Sequence, residues 1–155
     1  MTNQCVKQET IKEIARDGRF IAYDDGTVLD TRTSLMWASK YNGQDIKASE
    51  AKFYCETLNL GGYNDWRLPS LDELEDLYDG NKDRPAKCVD GVSVHVATEL
   101  IDISCSYLWS SNESSTTNET GNFNFNAGMR TAFATGWSKS GRVLPVRLFK
   151  WYSYY

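Results

Sequence analysis

The residues best suited to holding a ligand fall late in the chain. Asn122, Asn124 and Asn126 alternate with Phe123 and Phe125, so a strand here sets three amides on one side and two rings on the other. An amide both donates and accepts hydrogen bonds, which suits sugar hydroxyls. Trp137, on the turn that follows, offers a ring to stack on a sugar. Arg130, Lys139 and Arg142 supply cations for sulfate or carboxylate. These seven residues form the expected ligand face; the alternative is that they are ordinary exposed loops and turns.

Other chemistry is thinner. Asp24, Asp25 and Asp30 cluster as calcium candidates, but their spacing is not that of an EF-hand. His95 is the single histidine, on the polar side of the alternation Val92, Val94, Val96, and no nucleophile-elbow motif accompanies it. Four cysteines, Cys5, Cys55, Cys88 and Cys105, form no CxxC pair and leave three disulfide schemes open. A zinc site would need scattered cysteines or carboxylates. The expectation is therefore no catalytic residue, no cofactor and no enzyme.

The elements that position these residues must fit 155 residues, enough for one domain with a core. Aromatic residues at 13% exceed what such a core hides, which favours an interaction face. No apolar run approaches the roughly 18 residues of a bilayer span, and neither a membrane span nor a nucleic-acid partner is expected. Met1 to Ile14 shows no leader-like pattern of basic then apolar residues. Net charge is −4, unevenly spread: acidic residues crowd Asp65 to Asp83, and none follows Glu119. Two solvated faces that neutralise each other, or an anion-binding face, would both produce this pattern.

Residues 1–17 read as a helix or linker on a partial stripe of Val6, Ile11, Ile14 and Ala15, ended by Gly18. Phe20–Tyr23 and Thr27–Asp30 flank the turn Asp24-Asp25-Gly26 as a hairpin, and Leu35–Ala38 follows as a strand. Asp45–Leu60 reads as a helix that buries Ala51, Tyr54, Cys55 and Leu58, with Gly61-Gly62 as its stop. Leu71–Tyr78 reads as a second helix, capped by Ser70 with Glu73 closing a capping box. Short strands are expected at 92–96 and 107–109, a polar loop at 112–121, and paired strands at 122–126 and 131–135. The last strand, 143–149, is placed at an edge by Pro145. Helices and strands segregate, which is an α+β order. The aromatic tail, Trp151 to Tyr155, reads as packed on the N-terminal helix or as part of a subunit interface.

The most distinctive run is Gly61-Gly62-Tyr63-Asn64-Asp65-Trp66-Arg67-Leu68-Pro69-Ser70, continued by Glu73-Leu74. With Asp25-Gly26-Thr27-Val28, Asp30 to Thr33, Leu35-Met36-Trp37, Tyr54-Cys55, Leu108-Trp109-Ser110-Ser111 and Val146-Arg147, it resembles the Lcl C-terminal domain family of exported bacterial proteins and collagen-like adhesins. The likeness runs from about Gly18 to Phe149, which sets residues 18–155 apart as one domain with 1–17 outside it. It implies a C-type-lectin-like α+β fold, shared with formylglycine-generating enzymes, in which two main helices pack on short twisted antiparallel sheets. It further implies an exported, periplasmic or cell-surface location, the cytoplasm being the alternative, and binding of a glycan or sulfated polysaccharide. Trp37, Asp65, Trp66, Arg67, Leu68, Pro69, Trp109 and Arg147 are taken as structural, with Asp65 and Arg67 pairing with each other or with Arg32 or Asp30. The net negative charge departs from polyanion binders, which are basic over their contact surface.

The expected function is thus a non-catalytic, adhesin-like, glycan-binding domain. The alternatives are an assembly module that contacts a protein partner or forms a homo-oligomer, and a formylglycine-generating type of enzyme.

Overall fold

A computed structural model describes residues 10–136 and 141–150. Strands β1 (Glu13–Asp17), β2 (Phe20–Tyr23), β3 (Thr27–Asp30) and β4 (Leu35–Ala38) are followed by helices α1 (Ala48–Thr57) and α2 (Leu71–Asp76). Then come β5 (Arg84–Pro85), β6 (Ser93–Val94), β7 (Tyr107–Ser114), β8 (Glu119–Asn124), β9 (Met129–Ala134) and β10 (Val146–Leu148). They form a sheet in the order β1-β2-β3-β4-β10, a β5-β6 ribbon and a β7-β8-β9 sheet. All pairings between these strands are antiparallel.

This overturns the α+β, C-type-lectin-like expectation of two main helices on sheets. The molecule is mostly β among the described residues, and its two helices have only ten and six residues. Three local readings carried the error. Residues 13–17 are strand β1, not helix. Ile11 and Ile14 are 46% and 65% exposed while Ala15 packs against the main core, so these residues share no buried helix face, and pairing with β2 satisfies the backbone instead. The polar stretch 112–121 is no loop: β7 runs to Ser114 and β8 starts at Glu119, with Asn118 at φ 53 in the turn between them. The β-branched threonines here suit a ladder as well as a loop. Helix α1 is shorter than 45–60 because Leu58 is already extended and Lys47 makes no side-chain cap.

Gly61 and Gly62, at φ 65 and 78, build a separate turn in which Leu60 and Tyr63 exchange backbone hydrogen bonds. Gly61 has little alternative: a Cβ there would sit 2.9 Å from Asp25 Oδ2. The second helix keeps its expected start, since Ser70 Oγ accepts from Glu73 N–H at 3.1 Å while Glu73 Oε1 accepts from Ser70 N–H at 2.9 Å.

The three-stranded sheet separates two cores. Leu108 and Phe123 join Leu74 and Leu77 of the α2 region, with Phe20, Val28, Trp37, Ile101 and Ile103, in the main cluster. On the other face Trp109 packs with Ala51 and Cys55 of α1, Leu68 and Val143. A third cluster gathers Met36, Ala38 and Trp66, with Tyr63 and Phe149 against it. Full burial of each large side chain contributes roughly 1.5–3 kcal/mol, which explains how short strands hold.

Candidate ligand-binding site

The five described residues of the expected ligand face are engaged within the protein. Phe123 and Phe125 are fully buried, as their alternation requires, but Asn122 is fully buried too. Its Oδ1 accepts from the Thr131 hydroxyl. Asn124 Oδ1 accepts from the N–H groups of Asn126 (2.9 Å) and Ala127 (3.3 Å), which shapes the β8–β9 turn. Asn126 Nδ2 donates to Ser93 O at 2.7 Å. Each of the three amides is thus engaged within the protein, two in the hairpin and one on β6.

The arginines are committed as well. Arg130 pairs with Asp72 and, at 2.9 Å, with Glu75 of α2; these two carboxylates, Glu75 first, raise its pKa. Arg142 Nη1 donates to Tyr41 Oη (3.0 Å) and Gly43 O (2.9 Å), and its Nε to Asp45 (3.3 Å). Trp137, Lys139 and the tail 151–155 lie outside the described residues, as does Cys5.

The calcium candidates do not converge. Asp24 and Asp25 lie in the β2–β3 turn, where Asp24 Oδ1 accepts from Lys12 N–H and Asp25 Oδ1 from Thr27 N–H and hydroxyl. Asp30 ends β3, one strand length away, and accepts from Arg32 N–H with Arg19 Nε 3.1 Å off. Among the described residues no group of three or more His, Cys, Asp or Glu side chains could hold a metal.

Of the cysteines, Cys88 and Cys105 are joined in a disulfide and Cys55 is buried with a free thiol, whose pKa burial pushes up to about 12. His95 Nδ1 lies 2.9 Å from Lys82 O and 2.7 Å from Asp83 Oδ1.

The residues taken as structural form an interlocked corner, though not with the partners expected from sequence. Trp66, 2% exposed, donates its indole N–H to Leu60 O and Tyr63 O, both at 3.2 Å. Arg67 exchanges backbone hydrogen bonds with Val146 of β10 (2.9 and 3.0 Å). Its guanidinium pairs with Glu73 at 2.7 and 2.9 Å. Burial opposes ionisation of Glu73, yet Arg67 and the Ser70 N–H outweigh it and lower the pKa. Leu68 packs beside Trp109, whose indole N–H donates to Ile46 O at 2.7 Å. Pro69 O accepts from Ser111 N–H at 2.8 Å. Trp37 sits in the main core with no acceptor for its indole N–H among the described residues.

Asp65 pairs with Arg147, not with Arg67 or Arg32. Arg147 Nε and Nη2 donate to its two carboxylate oxygens at 2.6 and 3.2 Å, and these bonds lower the Asp65 pKa. The guanidinium in turn lies 3.7 Å from the Tyr63 ring centroid, a cation–π contact that fixes its plane. The Arg147 side chain is only 9% exposed while that of Asp65 is 55% exposed, so the corner buries its cation and presents its anion. Asn64 and Lys150 are exposed beside it. Together with Gly62 and Phe149 these residues line an open concavity of about 580 Å³, within the size range of small-ligand sites. Here carboxylate, amide and ammonium groups face solvent beside an aromatic wall. The sequence motif supplied Gly62 to Asp65 and Arg147 as structural residues and gave no sign of the opening, since what makes it is the approach of Arg147, 82 positions away from Asp65.

A family model described as the Lcl C-terminal domain matches residues 26–147. No curated protein and no solved structure matches the chain.

Proposed function

The chain belongs to the Lcl C-terminal domain family, and on that premise we propose that it is a non-catalytic glycan-binding domain of an exported protein, using the concavity at Tyr63, Asn64, Asp65 and Lys150. Family membership carries the export reading. Location at the cell surface or in the periplasm belongs to the proposal, with the Cys88–Cys105 disulfide in support, since such bonds persist in oxidising compartments. Among the described residues no helix is long and apolar enough to cross a membrane.

The observation that carries the ligand assignment is the exposed Asp65 carboxylate, held in one orientation by Arg147 within the concavity. Its remaining lone pairs accept sugar hydroxyls, Asn64 donates and accepts, and Lys150 meets a sulfate or uronate. Support for the non-catalytic part comes from the reactive groups: Cys55 is sealed in a core, and His95 Nδ1 is turned to Lys82 O and Asp83.

The test is a glycan array, sulfated polysaccharides included, read at low and high salt with three proteins: wild type, the double variant Asn64→Ala with Lys150→Ala, and Arg130→Ala. We expect binding that the double variant loses at least about tenfold, roughly 1.4 kcal/mol, and that Arg130→Ala retains. A blank array at high protein concentration would sink the glycan reading. Loss confined to Arg130→Ala would return the site to the hairpin.

A further inference from the structure

Strand β9 is the outer strand of the β7-β8-β9 sheet, and its register with β8 is regular from Glu119↔Ala134 to Asn124↔Met129. Beyond it, Thr135 N–H donates to Asn118 O at 3.0 Å. Hydrogen-bonded and non-hydrogen-bonded pairs alternate along an antiparallel ladder. Counting from Thr135, residues Ala134, Ala132 and Arg130 take the non-hydrogen-bonded positions, so their backbone N–H and C=O groups point away from β8. No hydrogen bond among the described residues reaches those groups.

The other outer strands of the two larger sheets are treated differently. The outer side of β10 is covered by Arg67, through its two backbone bonds to Val146. That of β7 is covered by Arg142, which accepts from Trp109 N–H (2.9 Å) and donates to Tyr107 O (3.1 Å), and by Pro69 at Ser111. Strand β1 is bulged between Glu13 and Ala15 and carries Glu13, Arg16 and Asp17. Covering, bulging and charging are the devices that keep an edge from pairing. Strand β9 has no bulge, proline or lysine, and its one charge, Arg130, is neutralised by Asp72 and Glu75 at the strand's end.

We propose that β9 is a strand-addition edge through which two copies of this chain pair antiparallel about a two-fold axis at Ala132, making one continuous sheet. That register sets Ala132 against Ala132 of the second copy and Arg130 against Ala134. All three outward-facing residues then meet outward-facing residues, for about six hydrogen bonds at two per such pair. No like charges oppose each other. On the other face Thr131 meets Phe133 and Met129 meets Thr135, which covers a methionine that is 59% exposed. A shift by one residue would oppose outward groups to inward ones and lose the ladder, and a shift by two would leave only two such pairs within the strand, so this register makes the most hydrogen bonds.

The experiment is sedimentation equilibrium of the full chain over a wide concentration range, for wild type, Ala132→Pro and Ala134→Lys. Proline at 132 removes an N–H that the monomer does not use, so far-UV circular dichroism and melting temperature should stay at wild-type values. We expect a concentration-dependent dimer in wild type and a dissociation constant at least about tenfold higher in both variants. A wild-type monomer at every concentration overturns the proposal. So does a dimer that Ala134→Lys and a folded Ala132→Pro leave intact.

Discussion

The β8–β9 hairpin and the Gly62–Asp65 corner are both rich in amides, charges and aromatic rings, yet they use them in opposite ways. In the hairpin, Asn122, Asn124 and Asn126 turn their side chains onto Thr131, the turn backbone and Ser93. Arg130 is engaged by two carboxylates. In the corner the buried partner, Arg147, is the one fully engaged, and the exposed Asp65 keeps capacity on its solvent side. Residue type therefore says what a side chain is able to bind. Whether any of that capacity is left depends on the segment that folds against it.

The largest effect that bears on this contrast should come from Trp66→Ala. The indole is almost fully buried among Met36 and Ala38 and ties Leu60 to Tyr63. Loss of a buried Trp costs about 3–5 kcal/mol, read as a fall in the denaturant midpoint. Because the turn that carries Tyr63 and Asp65 rests on that ring, glycan binding should go with it. A variant that kept full stability would mean that the corner does not depend on its tryptophan.

Asn122→Ala should come next and act on stability alone. It removes a fully buried side chain and takes the Oδ1 acceptor from the half-buried Thr131 hydroxyl, at a cost of about 0.5–1.5 kcal/mol, with glycan-array binding unchanged. Binding lost at unchanged stability would reverse the roles assigned to the two regions.

Much of the corner was legible in the sequence. Ser70 and Glu73 announced the capping box, and the Asp24-Asp25-Gly26 turn announced the β2–β3 hairpin, because these signals are local. The partners of Asp65 and Arg67 were not legible, since Arg147 and Glu73 compete with Arg32 and Asp30 on equal chemical terms and only tertiary placement decides. The fold class failed for a related reason. A Ser/Thr/Asn-rich segment looks like a loop until a neighbouring strand supplies its ladder, and 112–121 has one. Ile11 and Ile14 looked like a helix face only because exposure cannot be read from spacing.

The smallest effect should be the acid response of the Asp65–Arg147 pair, and it isolates the corner's electrostatics from its packing. Arg147 holds the Asp65 carboxyl below its ordinary pKa, so the folded state binds that proton less readily than the unfolded state. The pair's contribution to stability is then fully present above the unfolded value of about 3.9 and is lost as pH falls through the lowered folded value. Asp65→Asn removes the titration. The stability gap between wild type and variant should be constant from neutral pH down to the ordinary carboxylate range and should close below it. Since the Asp65 side chain is 55% exposed, solvent screens the pair, and raising the ionic strength should shrink the gap further. Unfolding curves across an acid series at two salt concentrations check both points. A gap that persisted unchanged at the acid end would place the value of Asp65 in its hydrogen-bond geometry rather than its charge, and the corner would then present shape to a ligand more than it presents an anion.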